Sequence, residues 1–265
     1  MKIICLAKFI PDVDHFVYDY ERNVLVRENM DLVLNPDDAC ALAYALALKK
    51  NRQDVEVEVL SMAPLSLLPN LKELLRLGAD RGVLISDAFF SGSDTYATSC
   101  IIARYLADAQ YDVILSGTHA LDGDTEHVPV QVAELLGLDH MAYIVRFDDD
   151  SFLNGTCVFE SEFDNANARF RVRLPCVLGV LAESRYKLPF VRYENLDLNV
   201  DDRVTVVTNE ELGFSHEEVG IAGSLTKVAS TWQPQMKKKE QVIVGNDDEG
   251  IETVFQFLKK EGYMP

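Results

Sequence analysis

Residues 116–138, SGTHALDGDTEHVPVQVAELLGL, constrain the fold more than any other stretch of this chain. An apolar run at 111–115 reads as a strand, and an amphipathic helical pattern follows the loop. Gly117 and Gly123 are expected to supply backbone freedom in the turn. The acidic run Asp122-Gly123-Asp124-Thr125 leads into the helix start. A strand–loop–helix unit of this kind presents free backbone N–H groups at the helix N-terminus, which suits an anionic group and above all a phosphate. Elsewhere the chain holds no convincing catalytic constellation, so the expected task is to bind and position a cofactor.

The 265 residues suffice for one large domain or a domain with an extension. Net charge is −18, which argues against nucleic acid because a phosphate backbone needs a basic face. Most of the acidic residues read as solubility. The basic cluster Lys237-Lys238-Lys239 lies in a polar connector and reads as solvated. No apolar run reaches the length of a membrane-spanning helix. The start MKIICLAKFIPD reads as a strand and carries no small-residue cleavage site. The five cysteines (Cys5, Cys40, Cys100, Cys157 and Cys176) are scattered and lie mostly in apolar segments. They are expected to be buried thiols in a reducing, cytoplasmic setting. No CxxC or Cys/His ligand spacing appears, so no metal site is expected.

Strand and helix signals alternate through the first half. Strands are expected at 2–8, 32–34, 55–60, 83–85 and 111–115, and a hairpin at 16–28 around Glu21-Arg22-Asn23. Asn35-Pro36-Asp37-Asp38 reads as a helix start: a capping side chain, proline in the first turn, and acids where the helix dipole favours them. That helix covers 37–50, a second covers 65–77 and ends at Gly78, and a third is capped by Asp94 and runs to 109. This alternation implies an α/β fold, a mostly parallel sheet with helices on both faces. After residue 138 the pattern turns to strands at 140–147, 152–160, 168–174 and 176–181. Residues 183–265 have little apolar periodicity beyond a final helix at 248–261. The domain is therefore drawn at 1–182, with 183–265 as an extended C-terminal arm that packs on something else.

Ligands of open parallel sheets bind beyond the carboxyl ends of the strands. Those ends lead here into residues 7–11, Asn35, residues 61–64 and the 116–128 loop, all turn-like and rich in small residues. Their convergence is the case, from the residues alone, for a nucleotide cleft.

The same segments resemble the β subunit of electron-transfer flavoprotein. IICLAKFIPD resembles that family's strand, lysine and proline–aspartate turn, and VLVRENMDLVLNPDDACALAYALALK its link into the NPDD helix. Leu77-Gly78-Ala79-Asp80-Arg81 resembles its MGADR turn, and GTHALDGDTEHVPVQVAELLG its GRQAIDGDT loop. LAESRYKLP resembles its partner-recognition loop, and VGIAGSLTKV its VGLAGSPTKV motif. Each is weak alone, but together, in order along the chain, they are specific.

The resemblance implies a nucleotide-binding fold like that of the adenine nucleotide hydrolases, and a heterodimer with an α subunit that carries its own FAD. It implies an electron-transfer subunit with no stand-alone catalysis, whose cleft holds FAD in electron-bifurcating members or a structural AMP in the others. Carried over by position, the cofactor-binding residues are Leu6, Ala7, Asn35, Met62, Ala120, Asp122, Gly123, Asp124, Thr125, Glu126, His127 and Val128. The partner-binding residues are Arg185, Tyr186 and Leu188, and the 183–265 arm packs on the α subunit. The DGDT run, the long link at 18–38 and the tail after the GS-T motif resemble the bifurcating members. In that class electrons from NADH divide between a low-potential acceptor, ferredoxin or flavodoxin, and a flavin dehydrogenase of the acyl-CoA or hydroxy-acid type.

Thr118 stands where the family has a basic residue, Glu126 where it has a neutral one, and Pro129 removes an N–H from the first helical turn. A carboxylate beside a diphosphate is unfavourable unless it turns away. The residues themselves leave several roles open. His127 would bond a phosphate oxygen or face water. Asp122 and Asp124 would hold a ribose or a cation, or cap and close the loop. Met62 would edge an adenine or fill a core gap. His119 reads as a loop residue rather than a base, and His15, His140 and His216 as structural. Ser224 and Thr226 form no nucleophile elbow. A nucleotide-binding sensor or ATP-hydrolysing protein is the rival from another class, but no GxxxxGK[ST] sequence is present. A structural subunit with an empty cleft is the third reading.

Overall fold

A computed structural model describes residues 1–12, 17–19, 24–26, 32–148, 151–164, 166–227, 229 and 242–264. His15, the turn at 21–23 and the lysine cluster at 237–239 fall outside the described residues.

In chain order the elements are β1 (Lys2–Leu6), β2 (Phe9–Pro11), β3 (Val17–Asp19), β4 (Val24–Val26), β5 (Leu32–Leu34), α1 (Pro36–Asn51), β6 (Glu56–Met62), α2 (Leu68–Arg76), β7 (Arg81–Ile85), α3 (Thr95–Ala107), β8 (Val113–Gly117) and α4 (His127–Leu136). There follow β9 (Asp139–Phe147), β10 (Thr156–Phe163), β11 (Ala166–Arg173), β12 (Cys176–Val180), β13 (Val204–Val207), α5 (Asn209–Leu212), α6 (Gly220–Gly223) and α7 (Asp248–Lys260). Nine strands form one sheet in the order β11-β10-β9-β12-β8-β1-β6-β7-β13. It is parallel from β9 to β13, with β10 and β11 added antiparallel at one edge. The hairpin expected at 16–28 appears as antiparallel β3 and β4, Val17 opposite Val26.

Both faces of the sheet are covered, and its central strands are predominantly apolar and buried on both sides. In β1, Ile3 and Cys5 point into one core with α1 and α2, through Ala41, Leu42, Leu71 and Leu75. Ile4 and Leu6 point into the other with α3 and α4, through Ile101, Leu106 and Val132. This is the period-two alternation of a strand buried on both sides. Tyr44 of α1 stacks on Phe147 of β9 with ring centroids 4.0 Å apart, and Tyr186 lies 5.1 Å from Tyr44. Asp94 caps α3 as expected, accepting from the Ala97 N–H at 3.0 Å. All five cysteines are unpaired, and four of them are buried.

The boundary at 182 is corrected. The first compact unit runs from Met1 to Lys227 and a second from Val228 to Pro265. Residues 204–207 form β13, parallel to β7 with Val204 opposite Gly82 and Val207 opposite Ile85. Val204-Thr205-Val206-Val207 is too short to show an alternating pattern, and this edge strand buries only Val207 fully. The 183–227 stretch therefore completes the domain at its edge. The VGIAGSLTKV motif is tied to the start of α3: Ser224 Oγ accepts the Asp94 N–H at 2.8 Å, and Asp94 Oδ2 accepts the Thr226 N–H at 2.7 Å and its hydroxyl at 2.8 Å. In the second unit, α7 starts under Asp247, whose carboxylate accepts the Gly250 N–H at 2.9 Å.

Candidate functional site

The sheet order reverses at β1. From it the chain moves outward through β6 and β7, then returns to add β8 and β12 on the opposite side. The carboxyl ends of β1 and β8 thus open onto the switch point where ligands of such sheets bind. Lys8 follows β1, and the 118–126 loop follows β8.

The start of α1 lies across this point. Asn35 occupies the helix cap position but makes no capping bond. Its side chain spans instead to the β8 loop: Nδ2 donates to the His119 carbonyl at 2.7 Å, and Oδ1 accepts the Leu121 N–H at 3.3 Å. Asp38 joins the two strand ends, with Oδ1 accepting the Gly117 N–H at 2.6 Å and Oδ2 the Lys8 N–H at 2.9 Å. Asp37 accepts the Ala182 N–H at 2.8 Å and faces His119 Nδ1 at 2.8 Å. The helix start, its proline and its first-turn acids stand as expected, but the two acids are buried struts and the capping bond expected of Asn35 is absent. Burial pushes the Asp38 carboxyl up to about 7, against the pull of the Lys8 and Gly117 donors. Burial also raises the Asp37 carboxyl, and the His119 and Ala182 contacts oppose it.

Two expectations about glycine change. Gly117 ends β8 and has no left-handed backbone. It is needed because a Cβ there would lie 2.5 Å from Asp37 Cβ and 2.8 Å from the Asp38 nitrogen. Gly123 has neither a positive φ nor any atom within 4 Å of a built Cβ. The left-handed positions of the loop are Asp124 (φ 46°) and Glu126 (φ 57°).

α4 begins at His127 with no side-chain cap, because Glu126 sits left-handed at its cap position. Its first-turn N–H groups, save that of Pro129, are left for another acceptor. Two of the three loop carboxylates, Asp122 and Glu126, are hydrogen-bonded. Lys8 Nζ meets Asp122 at 2.6 Å, His119 Nε2 lies 3.8 Å from Asp124, and the Tyr143 hydroxyl donates to Glu126. The bond to Glu126 raises the pKa of the Tyr143 hydroxyl.

The structure brings together most of the residues expected at the site. Leu6 and Ala7 are buried at the end of β1, and Met62 is half-buried at the end of the neighbouring β6. The Ala120 carbonyl accepts the Gly123 and Asp124 N–H groups at 3.2 and 2.8 Å. Asp122, Gly123, Asp124 and Thr125 are exposed, Glu126 is half-buried, and Val128 packs partly on the core. His127 is exposed, its Nδ1 lying 3.3 Å from Thr95 Oγ1 at the start of α3.

The partner loop is mixed. Arg185 is exposed and left-handed (φ 59°). The Tyr186 hydroxyl accepts the Phe147 N–H at 3.0 Å, and Leu188 is half-buried against the core rather than protruding. The protruding side chains are Phe190, 95% exposed, and Tyr193, 92% exposed, which sequence reasoning missed. Lys8, Asp38 and Tyr143 were missed as well. Only the LAKFIPD motif hinted at Lys8, and nothing local pointed to Tyr143.

Residues 22–189 match the electron transfer flavoprotein domain. The chain is 30% identical over 264 residues to an electron transfer flavoprotein subunit beta of Thermoanaerobacterium thermosaccharolyticum, covering 97% of this chain and 98% of that one. It is 32% identical over 249 residues to the caffeyl-CoA reductase-Etf complex subunit CarD of Acetobacterium woodii, covering 92% of each. It is 32% identical over 252 residues to the protein FixA of Azorhizobium caulinodans, covering 92% of this chain and 88% of that one. Near-full-length similarity to these subunits, with the α/β sheet and the 116–138 unit in the expected place, makes this chain a member of the electron transfer flavoprotein family, on its β-subunit side.

Proposed function

We propose that this chain holds FAD in the cleft at the β1/β8 switch point. With an α subunit it passes electrons between NADH, a low-potential acceptor such as ferredoxin or flavodoxin, and a flavin dehydrogenase, in a bifurcating or confurcating complex. One observation carries the reading: the uncapped start of α4 opens beside two strand ends that Asp38 and Asn35 hold in fixed register.

The residues present fit an adenine dinucleotide. Two acids of the loop, Asp122 and Glu126, are turned onto Lys8 and the Tyr143 hydroxyl. The His127 and Val128 amides would hold a phosphate. The backbone at Leu6, Ala7 and Ala120, with Asn35, Met62 and Thr125, would line the adenosine side. FAD supplies the hydride and one-electron chemistry when bound, and the protein's part is to bind, orient and exclude water. The 228–265 segment would pack on the α subunit, and Arg185, Tyr186 and Leu188 would form part of the dehydrogenase-facing loop. Similarity to subunits named for caffeyl-CoA and acryloyl-CoA reductases supports an acyl-CoA type of dehydrogenase partner. A cytoplasmic site of action accords with the thiols, and among the described residues no helix is long and apolar enough to cross a membrane.

A flavin and nucleotide inventory of the co-purified heterodimer tests the reading. Two FAD per heterodimer support it. One FAD and one AMP would replace it with a non-bifurcating carrier that holds a structural AMP. A heterodimer without nucleotide in the β subunit would refute it.

A further inference from the structure

We propose that Lys8 reads the phosphate charge of the bound nucleotide, and that Asp122 holds it in reserve until the nucleotide arrives. The inference rests on the nucleotide site proposed above.

The backbone of Lys8 is fixed at the switch point: its N–H donates to Asp38 at 2.9 Å and its carbonyl accepts the Asn35 N–H at 2.9 Å. Its side chain is about half exposed, at 51%, and reaches across to Asp122 Oδ1 at 2.6 Å. Lys8 therefore combines a tied backbone with a half-exposed side chain whose ammonium is paired to Asp122.

It is also the lone lysine or arginine on the turns that line that mouth, residues 7–12, 35, 61–64 and 118–128. The same turns carry Asp122, Asp124 and Glu126. An anionic nucleotide entering this acidic rim needs a compensating cation. The hydroxyl of Tyr143 occupies Glu126 without adding positive charge. Thr118, buried with its hydroxyl accepting the Tyr143 N–H at 3.2 Å, offers none. An exposed lysine–carboxylate pair is weak and exchangeable, whereas a phosphate brings more charge and several acceptor oxygens to the same ammonium. Binding would exchange Asp122 for phosphate on Lys8, and Asp122 would act as a competitor that lowers affinity.

The two partners of the ion pair thus have opposite expected effects, which a simple loop clamp would not show. The test is calorimetric titration of nucleotide-stripped heterodimer with adenosine, AMP and ADP at low and high salt. Lys8→Gln should weaken AMP roughly tenfold, the scale of one charged hydrogen bond, with a smaller loss at high salt. Asp122→Asn should tighten AMP about threefold, the scale of one screened repulsion removed. Adenosine should be unchanged by either substitution, and Lys8→Arg should retain most of the AMP affinity. If Asp122→Asn weakens AMP as Lys8→Gln does, the pair is a clamp and the inference is overturned. It is equally overturned if adenosine affinity moves in step with AMP, or if neither variant changes AMP binding by a wild type that binds it. A wild type that binds none of the three ligands would refute the nucleotide site itself.

Discussion

Two glycines within the same segment should respond oppositely to an added methyl group. At Gly117 a Cβ would meet Asp37 Cβ at 2.5 Å, Asp38 Oδ1 at 2.7 Å and the Asp38 nitrogen at 2.8 Å. Carbon contacts sit comfortably near ~3.5–4.0 Å, so the gap must open by about 1 Å. None of the three atoms is a free side-chain end; all belong to the buried first turn of α1. Relief means pushing that turn away from β8, and the 2.6 Å bond from the Gly117 N–H to Asp38 lies in the way. Overpacking costs about 1–3 kcal/mol. Weakening a buried charge-assisted bond adds about 1–3 kcal/mol. The sum, roughly 2–6 kcal/mol, corresponds to a fall in Tm of roughly 4–24 °C at about 2–4 °C per kcal/mol. Gly123→Ala meets nothing within 4 Å and needs no special φ. It should be neutral or gain up to about 1 kcal/mol by restricting the unfolded chain. Differential scanning calorimetry of the purified heterodimer reads both. If Gly117→Ala melts within about 2 °C of wild type, or the two variants melt alike, the close-approach argument is wrong.

The remaining predictions concern side chains around the same strand ends. The raised Asp38 carboxyl binds its proton more tightly in the folded state than the unfolded value of about 3.9 allows, so its contribution to stability is full below that value and is lost as pH rises through about 7. Asp38→Asn cannot ionise, so its deficit in Tm relative to wild type should shrink between those limits; a deficit constant with pH would exclude Asp38 as the titrating group. Tyr143→Phe frees the Glu126 carboxylate next to the start of α4 and should weaken AMP roughly threefold at low salt with adenosine unaffected; unchanged AMP affinity in calorimetry would show that Glu126 turns away unaided. Asp94→Ala removes the cap of α3 and the anchor of Thr226 together and should cost about 2–3 kcal/mol. Amide exchange should then accelerate at 224–227, and protection equal to wild type there would mean that another contact holds the segment.

Local chemistry made much of this legible in the sequence. The apolar runs marked the central strands, Asp94 marked a helix start, and the turn-rich ends of β1, β6 and β8 lie side by side as expected. What escaped depends on partners far apart in the chain. Asn35 reads as an ordinary cap, yet its side chain is taken by residues 84 and 86 positions away. Lys8 meets an acid 114 positions away, and Gly117 is required by a helix start 79 positions earlier. Tyr143 reads as a strand residue, and only the folded path of β9 carries its hydroxyl to Glu126. Exposure along the partner loop was equally hard to read: Leu188 packs half-buried on the core, while Phe190 and Tyr193 stand outside.

The last strand to join the sheet alters how the molecule must be built. From β12 the chain passes the positions of β8, β1, β6 and β7 before Val204–Val207 docks on the outer side of β7. During synthesis β7 waits with a bare row of amides and carbonyls until residue 207 has emerged, a flank open to unwanted strand pairing. The stretch from 183 to 203, which carries the outward-facing Phe190 and Tyr193, is stitched to the sheet at both of its ends. A partner that tugs on it would strain the rim of the fold, so grip from outside and integrity within share one thread.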